Sequence, residues 1–442
     1  MFIKRTTEGG NYSKFDMRNC RELLKFEIFL IILRQNITIL IITLLTYLNA
    51  ANAQMPGVLM AKGAKKVEIP FERQDNFIIV KVLLQNFLPL RFIVDTGAEH
   101  TLLTKKEITT LLDIPFERTI TLMGTDMRTQ IIAHIARKVT LGLTNITFEK
   151  DILVLDDDYL HFDRFSGLEV HGVLGAEIFR GFVVKFDFVK QVMTIYDPSV
   201  FKPSDHRKYD EFPIEITRSK PYMVAAAHIQ SDSTVQLKLL VDTGASLSML
   251  LHTYSTPGLV LPSQTIRGSI GMGLGGDIEG VVGRIRDIEI GGHRLVAPVC
   301  NFHQLSQLSD SSFINHRNGL IGSEILTRFN MIIDFTKEKM YVQANRYFKN
   351  TFTYDRSGLS LITSGANLKQ FLVQDILENS PASNVDIRIG DEIVKINWLP
   401  ARLHTLSTMN DKLQGKIGKT IRLTLLRHGQ KIHVKFKLKE LI

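Results

Sequence analysis

The sequence predicts a mainly β protein made of two related lobes followed by a different C-terminal module. The first observation is that Asp-Thr-Gly-Ala occurs twice, at Asp95–Ala98 and Asp242–Ala245, each time directly after an apolar run. The second is that other segments repeat with the same spacing of 147 residues, so that Gly172–Ile178 matches Gly319–Ile325. The third is an alternation of apolar and β-branched residues around both copies, which is typical of strands. A duplicated β-rich unit explains all three observations.

Each element of the first copy can be placed from its pattern. The alternation predicts strands over 76–84, 90–95, 138–143 and 183–196, with equivalents in the second copy. Short helices are expected at Ala176–Arg180 and at Ser323–Arg328, each after a glycine. Turn residues such as Asn145 separate the strands.

The repeat and its end divide the sequence into segments. We expect, from the N-terminus onward, a leader over 1–53, lobe 1 over 66–197, a linker over 198–212, lobe 2 over 213–345 and the C-terminal module over 350–442. The linker assignment comes from its two prolines and its many charged residues.

The doubled motif indicates a pair of carboxylates. If Asp95 and Asp242 meet, they cannot both ionise at low cost, so they share a proton and can act as base and acid together. Gly97 and Gly244 would let the two backbones approach closely, because neither carries a Cβ. The sequence does not say which Asp is the base.

Residues 66–345 resemble bacterial retropepsin-like (clan AA) aspartic proteases with two fused lobes. In that family a lobe carries Asp-Thr-Gly-Ala, a flap, and an apolar-apolar-Gly segment before a short helix, matched here by Val173–Gly175 and Leu320–Gly322. The resemblance implies two retropepsin-like β-barrel lobes with pseudo-twofold symmetry. It also implies an aspartic endopeptidase that cleaves polypeptides with a water activated by Asp95 and Asp242. No cofactor is implied.

The resemblance assigns supporting roles around the dyad. Thr96 and Thr243 would hydrogen-bond across to the opposite loop, while Gly97, Ala98, Gly244 and Ala245 complete the motif. Retroviral members usually have Arg after the apolar-apolar-Gly segment, whereas this protein has Ala176 and Ser323, followed by Glu177 and Glu324. Support around the dyad is therefore expected to differ from that of the viral enzymes.

Ala98 and Ala245 stand where pepsin-like enzymes usually carry Ser or Thr. Without a hydroxyl to stabilise the ionised carboxylate, the carboxyl pKa is expected to be higher. We therefore expect a pH optimum that is mildly acidic to near neutral.

Two glycine-bearing segments are candidate flaps. They are Thr119–Gln130, with Gly124, and Thr265–Ile278, with Gly271 and Gly273. A hairpin tip that closes over an extended peptide can bind it as an added strand.

Residues 350–442 resemble a bacterial PDZ domain. The resemblance depends on the loop Gly358, Leu359, Ser360 and Leu361, on Ser380–Ala382 and on Ile389–Asn397. It implies that the loop binds a peptide or the C-terminus of a polypeptide, and that a helix over Leu403–Lys416 lines the groove.

Charge and cysteine content limit the classes of binding partner that the sequence favours. The net charge of +9 lies in the leader, with seven basic against four acidic residues, and in residues 350–442, with fourteen against eight. The lobes are balanced, so the basic character does not indicate nucleic-acid binding. No metal site is expected, because the acidic run at 156–158 matches no ligand spacing. Cys20 and Cys300 are the two cysteines, and Cys300 is expected in a core.

The leader indicates export. Basic residues precede the apolar run Ile37–Leu48 and the Ala-x-Ala site at Ala51–Ala53, an order typical of a signal peptide. The alternative is an uncleaved leader that anchors the protein in a membrane. If the leader is a signal peptide, the mature protein is expected in the periplasm or outside the cell. We expect a monomer, because its two lobes form an internal pseudo-dimer.

Two alternatives to a recruiting protease remain open. The lobes and the PDZ groove could bind peptides without cutting them. The PDZ domain could instead gate the cleft until a ligand binds.

Overall fold

The computed structural model describes residues 58–61, 63–125, 129–159, 161–230, 233–303 and 317–442. All of them belong to one compact unit, Gly57–Ile442. The predicted leader, with Cys20, lies outside the described residues. Within the described ranges, no helix is long and apolar enough to cross a membrane.

The first lobe is built around one mixed sheet. Its strands are β1 (Val58–Met60), β3 (Glu72–Gln74), β4 (Phe77–Leu84), β5 (Leu88–Val94), β6 (Leu102–Leu103), β7 (Phe116–Met123), β8 (Gln130–Leu143), β9 (Ile146–Leu155) and β10 (Gly172–Leu174). Helices cover Lys106–Leu111 and Phe162–Ser166, and a 3-10 turn covers Ala176–Phe179. The predicted strand over 138–143 is the second part of β8, which starts earlier, at Gln130. Buried and more exposed residues alternate along parts of β8 and β9.

The second lobe repeats this arrangement. Its strands are β14 (Glu215–Thr217), β15 (Lys220–His228), β16 (Thr234–Val241), β17 (Met249–His252), β18 (Thr265–Gly273), β19 (Gly276–Arg284), β20 (Asp287–Ile290), β21 (His293–Val296), β22 (Val299–His303) and β23 (Gly319–Ile321). A short helix covers Ser323–Leu326, the counterpart of Ala176–Phe179 in the first lobe. Cys300 is fully buried, and burial raises the pKa of its thiol.

A separate antiparallel sheet joins the two lobes. Its strands are β2 (Lys66–Pro70), β11 (Val183–Asp187), β12 (Val192–Tyr196), β13 (Asp210–Pro213), β24 (Phe329–Asp334) and β25 (Lys339–Ala344). At its centre β11 pairs with β24, so that Val184 faces Ile333 and Phe186 faces Met331. Adding the 147-residue offset to Val184 gives Met331, and adding it to Phe186 gives Ile333, so each pair is the symmetry equivalent of the other. The pseudo-twofold axis that relates the lobes therefore passes between β11 and β24.

Two sequence expectations differ from the structure here. The predicted single strand over 183–196 is a hairpin of two strands, β11 and β12. The turn lies between Asp187 and Val192, and Gln191 adopts a φ of +56° there. The end of the predicted linker is not a loop, since Asp210–Pro213 pairs with β25 as an edge of the joining sheet. The apolar alternation gave no sign of either feature.

The C-terminal module has its own sheet and core. Its strands are β26 (Leu359–Ser364), β27 (Gln370–Ile376), β28 (Glu392–Ile396), β29 (Leu399–Pro400), β30 (Thr420–Arg427) and β31 (Gln430–Lys437). The predicted groove helix over Leu403–Lys416 is shorter, Leu406–Leu413, and starts at the capping box of Thr405 with Thr408. Leu406, Met409 and Leu413 are buried in the module's core.

The module packs against both lobes. Thr363 of the edge strand β26 is fully buried and donates to the backbone oxygens of Asp163 (2.9 Å) and Arg164 (3.0 Å) in lobe 1. On lobe 2, Arg284 donates to the oxygen of Phe352 (3.1 Å) and lies 3.7 Å from the carboxylate of Glu440. The module is therefore held in place by hydrogen bonds from both sides.

Candidate active site

Each Asp-Thr-Gly-Ala loop begins where a buried strand ends. Strand β5 runs parallel to β10, and the Asp95 amide continues that ladder by donating to Leu174 O at 2.9 Å. In lobe 2, β16 runs parallel to β23, and the Asp242 amide donates to Ile321 O at 3.0 Å. The apolar-apolar-Gly segment of each lobe therefore fixes the first residue of its own loop.

Reciprocal hydrogen bonds between Thr96 and Thr243 hold the two loops together. The Thr96 amide donates to Thr243 Oγ1 (3.0 Å), and the Thr243 amide donates to Thr96 Oγ1 (3.1 Å). Each hydroxyl then donates to a backbone oxygen across the axis, Thr96 to Val241 (2.6 Å) and Thr243 to Val94 (2.7 Å). Both side chains are fully buried. The structure thus brings together two loops that lie 147 residues apart in the sequence.

The glycines of the loops lie against the opposite carboxylate. A Cβ added to Gly97 would lie 2.5 Å from Asp242 Cγ, and one added to Gly244 would lie 2.1 Å from Asp95 Cγ. Real Cβ contacts are essentially never shorter than 3.0 Å. Glycine is therefore required at both positions by space.

Backbone amides bind one oxygen of each carboxylate, Oδ1. Asp95 Oδ1 accepts from Gly97 N (2.7 Å) and Ala98 N (3.0 Å). Asp242 Oδ1 accepts in the same way from Gly244 N (2.9 Å) and Ala245 N (3.0 Å). The alanines at 98 and 245 thus contribute their amides, but they supply no side-chain donor.

The dyad carboxyls titrate as a pair. Burial raises the pKa of Asp95 well above its usual range, and the neighbouring charge of Asp242 raises it further. Burial also raises the pKa of Asp242, but the positive charge of Arg317 opposes that increase. Each carboxyl contributes to the pKa shift of the other, so the titration belongs to the pair.

Two half-buried glutamates, Glu177 and Glu324, lie in the short helices that follow the apolar-apolar-Gly segments. Glu177 Oε1 accepts from Thr101 N at 2.7 Å, and Glu324 Oε2 accepts from Ser248 Oγ at 2.5 Å. The two pairs are related by the same sequence offset as the dyad, and burial raises the pKa of both carboxyls. Each glutamate connects the helix after an apolar-apolar-Gly segment to the segment after an Asp-Thr-Gly-Ala loop, through the backbone amide of Thr101 in lobe 1 and the hydroxyl of Ser248 in lobe 2.

The predicted flaps are both hairpins, and their tips touch. In lobe 1, β7 and β8 are joined by a turn in which Gly124 N donates to Thr129 O at 2.8 Å. In lobe 2, β18 and β19 meet at Leu274, whose oxygen accepts from Thr125 N at 2.6 Å. A Cβ on Gly273 would lie 1.9 Å from Thr125 Oγ1, so the tips need a glycine there to approach each other.

A continuous cavity of about 1560 Å³ extends from the dyad to the C-terminal module. Both dyad residues line it, with Thr125, Gly271 and Gly273 of the flaps. Four residues of the predicted peptide-binding loop also line it, namely Gly358, Leu359, Ser360 and Leu361. The dyad and the predicted peptide groove therefore open into the same space.

The predicted peptide-binding loop already uses two of its amides. Gly358 N donates to Asp355 Oδ2 at 2.5 Å, and Leu359 N donates to Ser357 Oγ at 3.0 Å. Gly358 has φ of +81°, and a Cβ there would lie 2.1 Å from Ser380, so the loop turns tightly. These bonds fix the loop before any ligand arrives.

A segment of lobe 1 fills part of the predicted peptide groove of the C-terminal module. Gly167 follows the helix Phe162–Ser166 and packs against the C-terminal module's side of the groove. A Cβ added to Gly167 would be 3.1 Å from Leu406 Cβ and 3.4 Å from Thr363 Cγ2. The groove between β26 and the helix Leu406–Leu413 is therefore occupied by lobe 1 at the level of Thr363. Phe162 also packs on an apolar cluster that includes Phe77 and reaches Ile93, two residues before Asp95.

The acidic segment after β9 makes ion pairs. Asp156 binds Lys106 and His134 Nε2, the latter at 2.9 Å, and Asp163 lies 3.3 Å from Lys105. Among the described residues, no group of His, Cys, Asp or Glu has the arrangement of a metal site.

Comparisons with known proteins identify one part of the sequence. Residues 338–438 match the family model of the PDZ domain. The C-terminal module is a PDZ domain. No curated protein matches the sequence.

Among solved structures, this protein is similar to an aspartic proteinase from Irpex lacteus, with 14% identity over 65% of this chain and 99% of that chain. The TM-score of this match is 0.39.

Two features of the site are absent from the sequence predictions. The link from Thr101 to Glu177 recurs as Ser248 to Glu324, so the repeat carried a signal for it. Arg317 has no such signal, because the equivalent position in lobe 1 is Val170. Only the folded protein places its guanidinium in the cavity with Asp242.

The threonine hydroxyls are expected to hold the lobes together. Changing Thr96 to Val would leave Thr243 N and Val241 O without their partner, and changing Thr243 to Val would do the same to Thr96 N and Val94 O. We predict a loss of about 1–3 kcal/mol in the free energy of unfolding for each variant, measured by urea titration.

The exposed Thr121→Val, on β7, is the matched control and is expected to change stability by less than about 0.5 kcal/mol. The double variant should cost less than the sum of the single variants, because both hydroxyls belong to one network. Single variants that behave like the control would show that the reciprocal bonds do not stabilise the fold.

Proposed function

We propose that this protein is an aspartic endopeptidase that hydrolyses peptide bonds with a water activated by Asp95 and Asp242. The single observation that carries the proposal is the reciprocal Thr96–Thr243 arrangement, which holds the two partly buried carboxylates side by side at the wall of a large cavity. Placing two carboxylates next to each other and partly out of water is costly, so the dyad needs a reason beyond stability.

The two carboxylates are proposed to have different roles. Arg317 favours the charged form of Asp242, whereas Asp95 lies beside that negative charge and keeps its proton. Asp242 would then take a proton from the water while Asp95 donates one to the carbonyl oxygen of the scissile bond. The water oxygen bonds to the carbonyl carbon and gives a tetrahedral intermediate. Its collapse breaks the C–N bond as Asp242 gives its proton to the amine nitrogen and one hydroxyl of the intermediate returns a proton to Asp95.

The hairpins β7–β8 and β18–β19 are proposed to bind the substrate backbone. Their tips meet through Thr125 and Leu274, so an extended peptide would have to pass beneath that contact. Opening and reclosing of the tips would admit the peptide and exclude water during the reaction.

The PDZ domain is proposed to regulate the cleft as well as to recruit substrates. Its groove opens into the cavity with the dyad, which favours recruitment. The groove is also filled at Thr363 by the segment after Phe162–Ser166, and that segment packs on the cluster next to the dyad strand. A ligand that extends along β26 would displace this segment and alter the cleft wall.

Export to the periplasm or the cell exterior is proposed from the leader alone, with an uncleaved anchor as the alternative. The protein is proposed to act as a monomer, because its two lobes already supply both halves of the dyad. A peptide-binding protein without catalysis is the second candidate function. The PDZ domain is the observation that favours it.

The central test of the proposed enzyme is cleavage of a peptide library by wild type, Asp95→Asn and Asp242→Asn. Loss of either carboxyl should reduce kcat/KM by at least about 10³-fold, because neither a base nor an acid alone completes the reaction. The wild-type profile should be bell-shaped with a mildly acidic to near-neutral optimum, because the pKa values of both carboxyls are raised.

Circular dichroism of the variants is the control for folding. Peptide binding without cleavage by the wild type would support the second candidate function instead. A rate that still rises below about pH 3 would contradict the raised pKa values.

The regulatory role of the PDZ domain can be tested with Thr363→Val. Losing the bonds to Asp163 and Arg164 should make the lobe 1 segment easier to displace, so a peptide with a free C-terminus should bind about 2- to 10-fold more tightly by calorimetry. Thr420→Val on β30, in another strand of the same sheet, is the control and should leave the affinity unchanged.

In the wild type, the same peptide should change kcat or KM for a separate substrate. A peptide that binds the PDZ domain but leaves turnover unchanged would argue for recruitment alone. Equal affinities for Thr363→Val and wild type would show that the segment does not compete with the ligand.

A further inference from the structure

An arginine faces the cavity beside the dyad. Arg317 lines the cavity that also contains Asp242, and it is half-buried. Within the described ranges its guanidinium makes no salt bridge, and its Nε is buried with no hydrogen-bond partner. A buried guanidinium nitrogen without a partner is costly, so this position indicates that an anion binds there.

The backbone that carries Arg317 is rigid on its C-terminal side. Asn318 N donates to Lys238 O (2.8 Å), and Asn318 Oδ1 accepts from Lys238 N (2.7 Å). Asn318 O accepts from His252 N at 2.8 Å. These bonds attach the residue after Arg317 to β16, the strand that ends next to Asp242, and to β17.

The surroundings of Arg317 do not neutralise it. Burial lowers the pKa of His252 to about 3, and the charge of Arg317 contributes to that decrease, so this neighbour is neutral in the working range. Within the described residues, His252 Nδ1 is itself buried without a partner. Asp242 acts on Arg317 through its charge, but no pair within salt-bridge distance forms between them among the described residues.

The charge of the cavity wall is distributed unevenly. Two other cations of lobe 2 line it without an ion pair in the described part of the protein, Lys220 and Arg267. Other arginines of the wall have partners, since Arg73 stacks on Tyr347 and Arg328 donates to backbone oxygens. Among the described residues, unpaired positive charge is therefore concentrated on the lobe 2 side of the cavity.

We propose that Arg317 binds an acidic side chain of the substrate next to the scissile bond, so that the protein cleaves peptides carrying Glu or Asp at that position. This inference rests on the proposed peptidase function and adds a specificity to it. An Arg–carboxylate pair can be bidentate, which gives both affinity and register. Arg317 is thus a specificity-determining residue, and no bond is made or broken through it.

The experiment compares matched fluorogenic peptides that carry Glu, Gln or Lys at each position flanking a bond that the wild type cleaves. At one position the wild type should prefer Glu over Gln by about 10-fold or more in kcat/KM. Arg317→Gln should reduce that preference to about 1, and Arg317→Glu should favour Lys over Gln. The ratio between two substrates cancels any general change in the dyad, because the loss of Arg317 affects both substrates alike.

Arg267→Gln is the matched control, since it removes a positive charge from an exposed part of the same wall. It should retain the Glu-over-Gln preference of the wild type. A binding measurement with Asp95→Asn, by fluorescence anisotropy, should show the same preference without any turnover.

The outcomes separate this inference from the proposed function. A wild type that cleaves no peptide would overturn the proposed function. Cleavage with the same Glu/Gln ratio in wild type and Arg317→Gln would overturn the inference alone. If Arg267→Gln lost the Glu-over-Gln preference as fully as Arg317→Gln, the effect would come from the general charge of the wall. That result would also overturn the inference.

Discussion

The reciprocal bonding of Thr96 and Thr243 is the constraint on which the rest of the site depends. Each hydroxyl accepts from the opposite amide and donates to the opposite strand end, so the two loops can lie only in one relative position. That position places each carboxylate against the opposite glycine, where no Cβ would fit. Burial and mutual repulsion of the carboxylates follow directly, and both raise the affinity of the pair for a proton.

The joining sheet and the half-buried glutamates Glu177 and Glu324 follow the same symmetry. Val184 and Phe186 pair with Ile333 and Met331 on opposite sides of the axis, so the lobes are held at their base as well as at their loops. Glu177 and Glu324 support the two loops equivalently. The symmetry is incomplete in two places. Of the two dyad carboxyls, only Asp242 has its pKa lowered by the charge of Arg317, and the PDZ groove is filled by a segment of lobe 1.

The sequence predicted the repeated parts well, because every landmark appeared twice at one offset. The strands before Asp95 and Asp242, the short helices after the apolar-apolar-Gly segments and the two hairpins all have the expected places. The turn inside 183–196 and the strand at Asp210–Pro213 were missed, because apolar alternation gives no pairing partner. Arg317 and the contact of Thr363 with lobe 1 arise from tertiary packing between distant segments, which a single sequence does not contain.

The central claim is that Asp95 and Asp242 share a proton in a partly buried pair, and the pH dependence of stability tests it most directly. A raised pKa means that the pair stabilises the fold fully below the unfolded Asp value of about 3.9, and that this contribution is lost as pH rises through the folded value. Each unit by which the pKa is raised corresponds to about 1.4 kcal/mol. Urea unfolding of wild type and Asp95→Asn between about pH 3.5 and 7.5 should therefore show the variant gaining stability relative to wild type as pH rises. A difference that is independent of pH, or that shifts in favour of the wild type toward neutral pH, would contradict a shared proton.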